Sequence, residues 1–219
     1  MRETFPDATY VRCEPMKPGW VGCIQCHKSM ARAALKYFGN RDGVYLALED
    51  AARVTGSYTS RAEVDRAIED AADVLRATPD LHLICLHRGH PVFVHWAYKH
   101  IGRNVYQKTY HCGSMSIELT QSLLCTTQFA RWLLDKEFTR EIDVTLNEEK
   151  LLQHVVYPAV FRRSTESETR SMATPVFHSG VGKLARDMFF NDAVFRTAEW
   201  CSFHAWWLPV MVGCVLLLK

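Results

Sequence analysis

Cys23, Cys26 and His27 stand together in the stretch "GCIQCHKSMARAALKYFG", Gly22 to Gly39. Two thiols beside an imidazole offer three chemistries. The first is covalent haem attachment, with Cys23 and Cys26 as thioethers and His27 on the iron. It needs a second axial ligand, for which Met115 is the nominal candidate, and a compartment outside the reducing cytosol. The second is zinc, for which Cys13, Cys23, Cys26 and His27 supply the four N/S donors of a closed tetrahedral site. Cys26 and His27 are adjacent, an awkward arrangement for one ion, and Cys112 or His111 would have to be brought in by the fold. The third is a nucleophile. A thiol opening a helix has its anion favoured by the positive end of the helix dipole and by nearby cations. Cys26 begins the helical run, and His95 in "HPVFVHWAYKHIG" is the candidate base. Asn104, or alternatively Gln107, would orient that imidazole. Such chemistry requires no metal or cofactor.

"CHKSMARAALKYFG" resembles the opening helix of papain-like cysteine peptidases, particularly the leader-peptide-processing type. Those proteins place Cys before a small-residue helix closed by aromatic-aromatic-Gly. The order of Cys, helices and a His-bearing hairpin is also similar to viral papain-like leader peptidases. The resemblance covers roughly residues 20 to 115. It implies a thiol protease of viral or effector type acting on a polypeptide, in which Cys26 takes the acyl group, His95 serves as base and then acid, and Asn104 holds the tautomer. The family's Gln ahead of the Cys is not matched, since Trp20 lies near that place and Gln25 is adjacent; the Cys26 backbone N–H is left as a partial oxyanion donor.

Two other readings compete. "VHWAYKHIGRNVYQ" resembles the His-Trp-Ala strand of lecithin retinol acyltransferase-like proteins, and "AEWCSFHAWWL" is similar to their Asn-Cys segment ahead of a hydrophobic tail. That resemblance implies an acyltransferase or phospholipase-like protein with His95 as base and Cys201 as acyl carrier, although Trp200 stands where Asn is expected. The other is a non-enzymatic, zinc-stabilised viral accessory or interaction protein, with its Trp-rich C-terminus as the partner-binding surface.

The elements that must position these residues are read from periodicity. "HKSMARAALKYF" is helical, with Gly39 as its C′ residue, and "VYLALEDAARVTG" reads as a second short helix. In "TSRAEVDRAIEDAADVLRATPD", Ser60 and Glu63 form a capping box. Val64, Ala67, Ile68, Ala71, Val74 and Leu75 recur at helical spacing, and Pro79 ends the run. "LHLICLH", "PVFVHWAY" and "NVYQKTYH" read as antiparallel strands broken by "RGHP" and "HIGRN". "SIELTQSLLCTTQFARWLLDKEF" reads as helix. The expected class is α+β: an N-terminal helical half packed on a small antiparallel sheet, followed by a C-terminal helical or hydrophobic segment.

Domain organisation follows from the same pass. Residues 1–160 form the α+β domain, 161–180 a polar linker or mobile loop, and 181–219 a hydrophobic segment. The apolar run Ala205–Leu218 is shorter than the roughly 20 residues of a spanning helix, while Trp206 and Trp207 suit a membrane interface. The expectation is a cytoplasmic chain, peripheral to a membrane or bound to a protein partner through that tail. Twenty-six Lys and Arg oppose 24 Asp and Glu, a net charge of +2, so no basic excess points to nucleic acid. "MRETFPDATYVRCEP" lacks an apolar signal core. Most of the eight cysteines are therefore expected to be reduced, with Cys85 and Cys125 as core packing.

Overall fold

The computed structural model describes residues 5, 8–14, 16–50, 52–87, 98–109, 120–163 and 191–204. Along the chain these form α1 (Gly19–Phe38), β1 (Val44–Leu48), β2 (Ala52–Val54), α2 (Arg61–Ala77) and β3 (Leu83–Cys85). There follow β4 (Tyr98–Gly102), β5 (Val105–Lys108), β6 (Ser122–Thr126), α3 (Thr127–Asp135), α4 (Ile142–Glu148), β7 (His154–Val156), β8 (Phe161–Arg163) and α5 (Asp192–His204). The α+β class holds, with the N-terminal helix packed on a sheet.

That sheet has six strands in the order β1-β6-β3-β7-β5-β4, and β2 pairs with β8 in a separate two-stranded ladder. Neighbours in the large sheet run antiparallel except β3 and β7, which are parallel with Cys85 opposite Val155. It is thus a mixed sheet rather than the purely antiparallel one expected. Successive side chains on a strand point to opposite faces, and the two cores follow that alternation. Ile84, Leu86, Leu124 and Val156 face α2 and its Ala67, Ala71 and Leu75. Leu83, Cys85, Leu123, Cys125 and Val155 face the other way, toward Ile24 and Ala31 of α1, Phe129 and Leu133 of α3, and Leu146 of α4. The result is three layers, with the sheet between α2 on one side and α1, α3 and α4 on the other.

Helix α2 matches its sequence pattern. Ser60 accepts from the Glu63 N–H, and the Glu63 carboxylate accepts from Ser60 and Thr59 N–H groups, completing the capping box. Gly39 closes α1 at φ 62, in the left-handed region that glycine adopts without cost, and its N–H bonds to Leu35 O at 2.8 Å.

Two expected helices are instead strands. Val44–Leu48 pairs with Ser122–Thr126 residue for residue, so "VYLAL" and "SLLCT" are the neighbouring strands β1 and β6. The helical reading of the second stretch survives only from Thr127, where the Thr126 hydroxyl caps α3 by accepting from Phe129 N–H. β6 is buried on both faces. It therefore shows no apolar/polar alternation to mark it as strand. The onset of α1 also differs from expectation: it begins at Gly19, not near His27. Of the anticipated strands, "LHLICLH" contains β3 and "NVYQKTYH" contains β5, while most of "PVFVHWAY" lies outside the described residues. The first residues of the expected linker form β8, and 164–180 lie outside the described set.

Helix α5 returns to the body of the fold through its first turn. Asp192 pairs with Arg162 at 3.0 Å and with Arg196 at 2.9 Å, and accepts from Gly56 N–H. Further along, the buried Glu199 accepts from Ala159 N–H. Among the described residues no helix is long and apolar enough to cross a membrane. The apolar run 205–218 lies outside them.

Candidate metal centre

The buried face of α1 is a stripe of Ile24, His27, Ala31 and Ala34. Helical spacing puts Cys23 and His27, four residues apart, one above the other on it. Opposite them, the β1–β6 ladder ends at Leu48 and Ser122, and the next residue on each strand is a polar one, Glu49 and Gln121, joined by Glu49 N–H to Gln121 O at 2.9 Å. Glu49 and Thr120 therefore sit at the end of two paired strands, facing the helix.

Three groups converge there on one atom. His27 Nε2 lies 3.1 Å from Glu49 Oε1. The Thr120 hydroxyl donates to the same oxygen at 3.2 Å, and the Cys23 thiol approaches it at 3.9 Å. The donor atoms of Cys23, His27 and Glu49 all lie within 4.8 Å of one another. Zinc held tetrahedrally at roughly 2.0–2.3 Å from S, N and O donors needs those donors about 3.3–3.8 Å apart. The observed 3.1 and 3.9 Å bracket that span. Among the described residues no other group of three His, Cys, Asp or Glu side chains converges in this way.

The electrostatics are those of a crowded, sheltered anion. His27 is only 3% exposed. Burial alone would raise the Glu49 carboxyl, but the hydrogen bond and charge of His27, the Thr120 hydroxyl and the nearby His87 outweigh it and hold the group below its ordinary value. Cys23 behaves oppositely. Burial first, then the carboxylates of Glu49 and Asp143, push its thiol up to about 12. Without a cation beside it, Cys23 is a neutral thiol at pH 7. A divalent ion would reverse that, since a coordinating thiol loses its proton outright.

The other candidates fall elsewhere. Cys26 forms a disulfide with Cys13, with Cα atoms 5.3 Å apart. This corrects the expectation of reduced thiols for that pair. Cys26 is also eight residues into α1 rather than at its N-terminus, so the helix dipole gives its sulfur little help. His95, the proposed base, lies outside the described residues, as do His111, Cys112 and Met115. Asn104, proposed to orient His95, turns its amide to α2, donating from Nδ2 to Ala67 O at 3.0 Å. Gln107 sits in β5, paired with Lys99 and His154. Cys201 is an exposed free thiol on α5. Cys85 and Cys125 are buried in the core, as core packing requires.

Of the four zinc donors read from the sequence, then, Cys23 and His27 meet and Cys13 and Cys26 bond to each other. Glu49 was not among them. The helical spacing of Cys23 and His27 is a legible signal; nothing local marks a glutamate at the end of a strand. No protein-family model, curated protein or solved structure matches the chain.

Proposed function

We propose that the chain is a non-enzymatic accessory domain stabilised by a zinc-like divalent ion held by Cys23, His27 and Glu49. The convergence of those three donor atoms, all within 4.8 Å of one another, carries the reading. An ion there would join the N-terminal helix to the end of the β1–β6 ladder, with Thr120 hydrogen-bonded to the ligating carboxylate as a supporting contact. Holding a soft thiolate, an imidazole and a carboxylate, the donor set suits zinc. Structural zinc adds its binding free energy to folding. Metal-free protein titrated with zinc should bind one equivalent and melt at higher temperature, while Cys23→Ser and His27→Ala should lose both effects. Wild-type binding no stronger than that of the two variants would overturn the proposal.

A thiol-hydrolase reading stands second, supported by α1 closing at Tyr37-Phe38-Gly39 and packing on a sheet, the order that the peptidase resemblance implies. In it Cys26 attacks a peptide carbonyl and His95 moves the proton, and the Cys13–Cys26 bond must first be reduced. Iodoacetamide applied to reduced, folded protein at pH 6 tests it. Rapid alkylation of Cys26 supports an activated thiol; uniformly slow alkylation removes the reading.

A further inference from the structure

We infer that the Cys13–Cys26 disulfide is a redox control on the metal centre, withholding a fourth ligand while oxidised and releasing it when reduced. This rests on the metal reading above. The three donors Cys23, His27 and Glu49 leave a tetrahedral ion one position short. The nearest further sulfur along α1 is Cys26, three residues beyond Cys23 and one before His27. Residues three apart on a helix are neighbours, with Cβ atoms about 5–6 Å apart. Positions i, i+3 and i+4 share one helix face, so Cys26 and His27, although adjacent in sequence, lie on either side of Cys23 on that face, and the bond to Cys13 is what occupies the Cys26 sulfur.

The bond is open to reductants. Cys13 is exposed and Cys26 only partly buried. The segment carrying Cys13 lies directly on the helix: a Cβ added at Gly22 would meet Met16 N at 3.3 Å and Glu14 O at 3.6 Å. Reduction therefore both frees a sulfur and releases the strap that covers the first turns of α1.

The chemistry balances with a cellular dithiol, or two equivalents of a monothiol, as co-reactant. Two electrons and two protons pass to the Cys13–Cys26 bond, which breaks to give two thiols, and the reductant leaves as its own disulfide. On metal binding, the Cys26 thiol gives its proton to solvent and its sulfur donates an electron pair to the ion. Exchange with a small-molecule disulfide, which leaves as two thiols carrying the two electrons and two protons, re-forms the Cys13–Cys26 bond, takes Cys26 out of the coordination sphere and returns the site to three protein donors.

The test is a competition titration of the full chain against a chromophoric zinc chelator. One sample is oxidised; the other is reduced with a phosphine and desalted under argon, and free thiols are counted in each. The reduced chain should bind zinc roughly tenfold or more tighter than the oxidised chain. Cys13→Ser, in which Cys26 is free without any reductant, should bind as tightly as the reduced wild type in both conditions. Cys26→Ser should bind like the oxidised wild type in both. Equal zinc affinity of the oxidised and reduced wild type overturns the redox link and leaves the three-donor site standing. A Cys26→Ser chain that binds as tightly as the reduced wild type overturns the assignment of Cys26. Zinc binding that is absent in both states and unchanged by Cys23→Ser overturns the metal reading itself.

Discussion

Helices α1 and α2 are of similar length, 20 and 17 residues, and cover opposite faces of the same sheet, yet they are built on different rules. α2 has a complete capping box, a buried stripe of Val, Ala and Leu, and surface ion pairs such as Arg61–Asp65 and Arg76–Asp73 at helical spacing. Each of its features serves folding. α1 has no side-chain cap and no acidic residue in its first turn, and it buries His27 amid its apolar stripe. Across the interface from Cys23 and His27 stand the Glu49 carboxylate and the Thr120 hydroxyl. A helix selected for packing alone would place an apolar residue at position 27, because a buried imidazole beside a carboxylate repays its desolvation only when well bonded. Polar groups concentrated on one of two otherwise equivalent faces need partners that apolar packing does not supply.

That contrast can be broken by measurement. The largest effect belongs to the α2 face: Leu75→Ala, at a side chain 2% exposed, should cost about 2–5 kcal/mol in urea unfolding. Zinc should raise its stability as much as it raises that of the wild type, because the two faces are separate. Next is zinc itself, which should stabilise the wild type by about 2.7 kcal/mol at a hundredfold excess over Kd. His27→Ala should abolish that gain, and a gain that survives the substitution would place the ion elsewhere.

Acid distinguishes the two faces of the sheet further. Glu49 is held below its ordinary 4.5, so its contribution is present above that pH and lost as pH falls through and below it. Glu49→Gln should therefore flatten the acid limb of the metal-free stability curve; an unchanged limb would mean that the His27 contact contributes nothing. Ser60→Ala should cost about 1 kcal/mol by removing the α2 cap, measured by thermal melting, and should leave zinc affinity untouched. Smallest is Glu63, also held low by the Thr59 and Ser60 N–H groups but fully exposed. Glu63→Gln should alter the acid limb less than Glu49→Gln does, and a larger change would contradict the contrast drawn between the helices.

The same asymmetry governs what the sequence revealed. α2 was legible because periodicity, cap and Pro79 all agree locally. β1 was not, because "VYLALEDAARV" is rich in helix formers and its strand character comes from pairing with β6, more than seventy residues on; tertiary pairing overrides weak local preference. β6 was hidden by its burial on both faces and by running straight into α3. In the site, Cys23 and His27 share a helix and could be paired by spacing. Glu49 reaches them only through the β1 register, and the Cys13–Cys26 pairing follows from where the 8–18 segment lies, which spacing does not encode.

The parallel contact between Cys85 and Val155 carries a cost for the chain as it is made. Among the described residues, three-residue β7 is the one seam between the trio β1-β6-β3 and the hairpin β4-β5. Until residue 156 has left the ribosome, the inner margins of both pieces offer unpaired backbone groups to any passing strand. A nascent chain arrested before that point would carry two sticky half-sheets, and chaperone engagement should be densest in that window of translation.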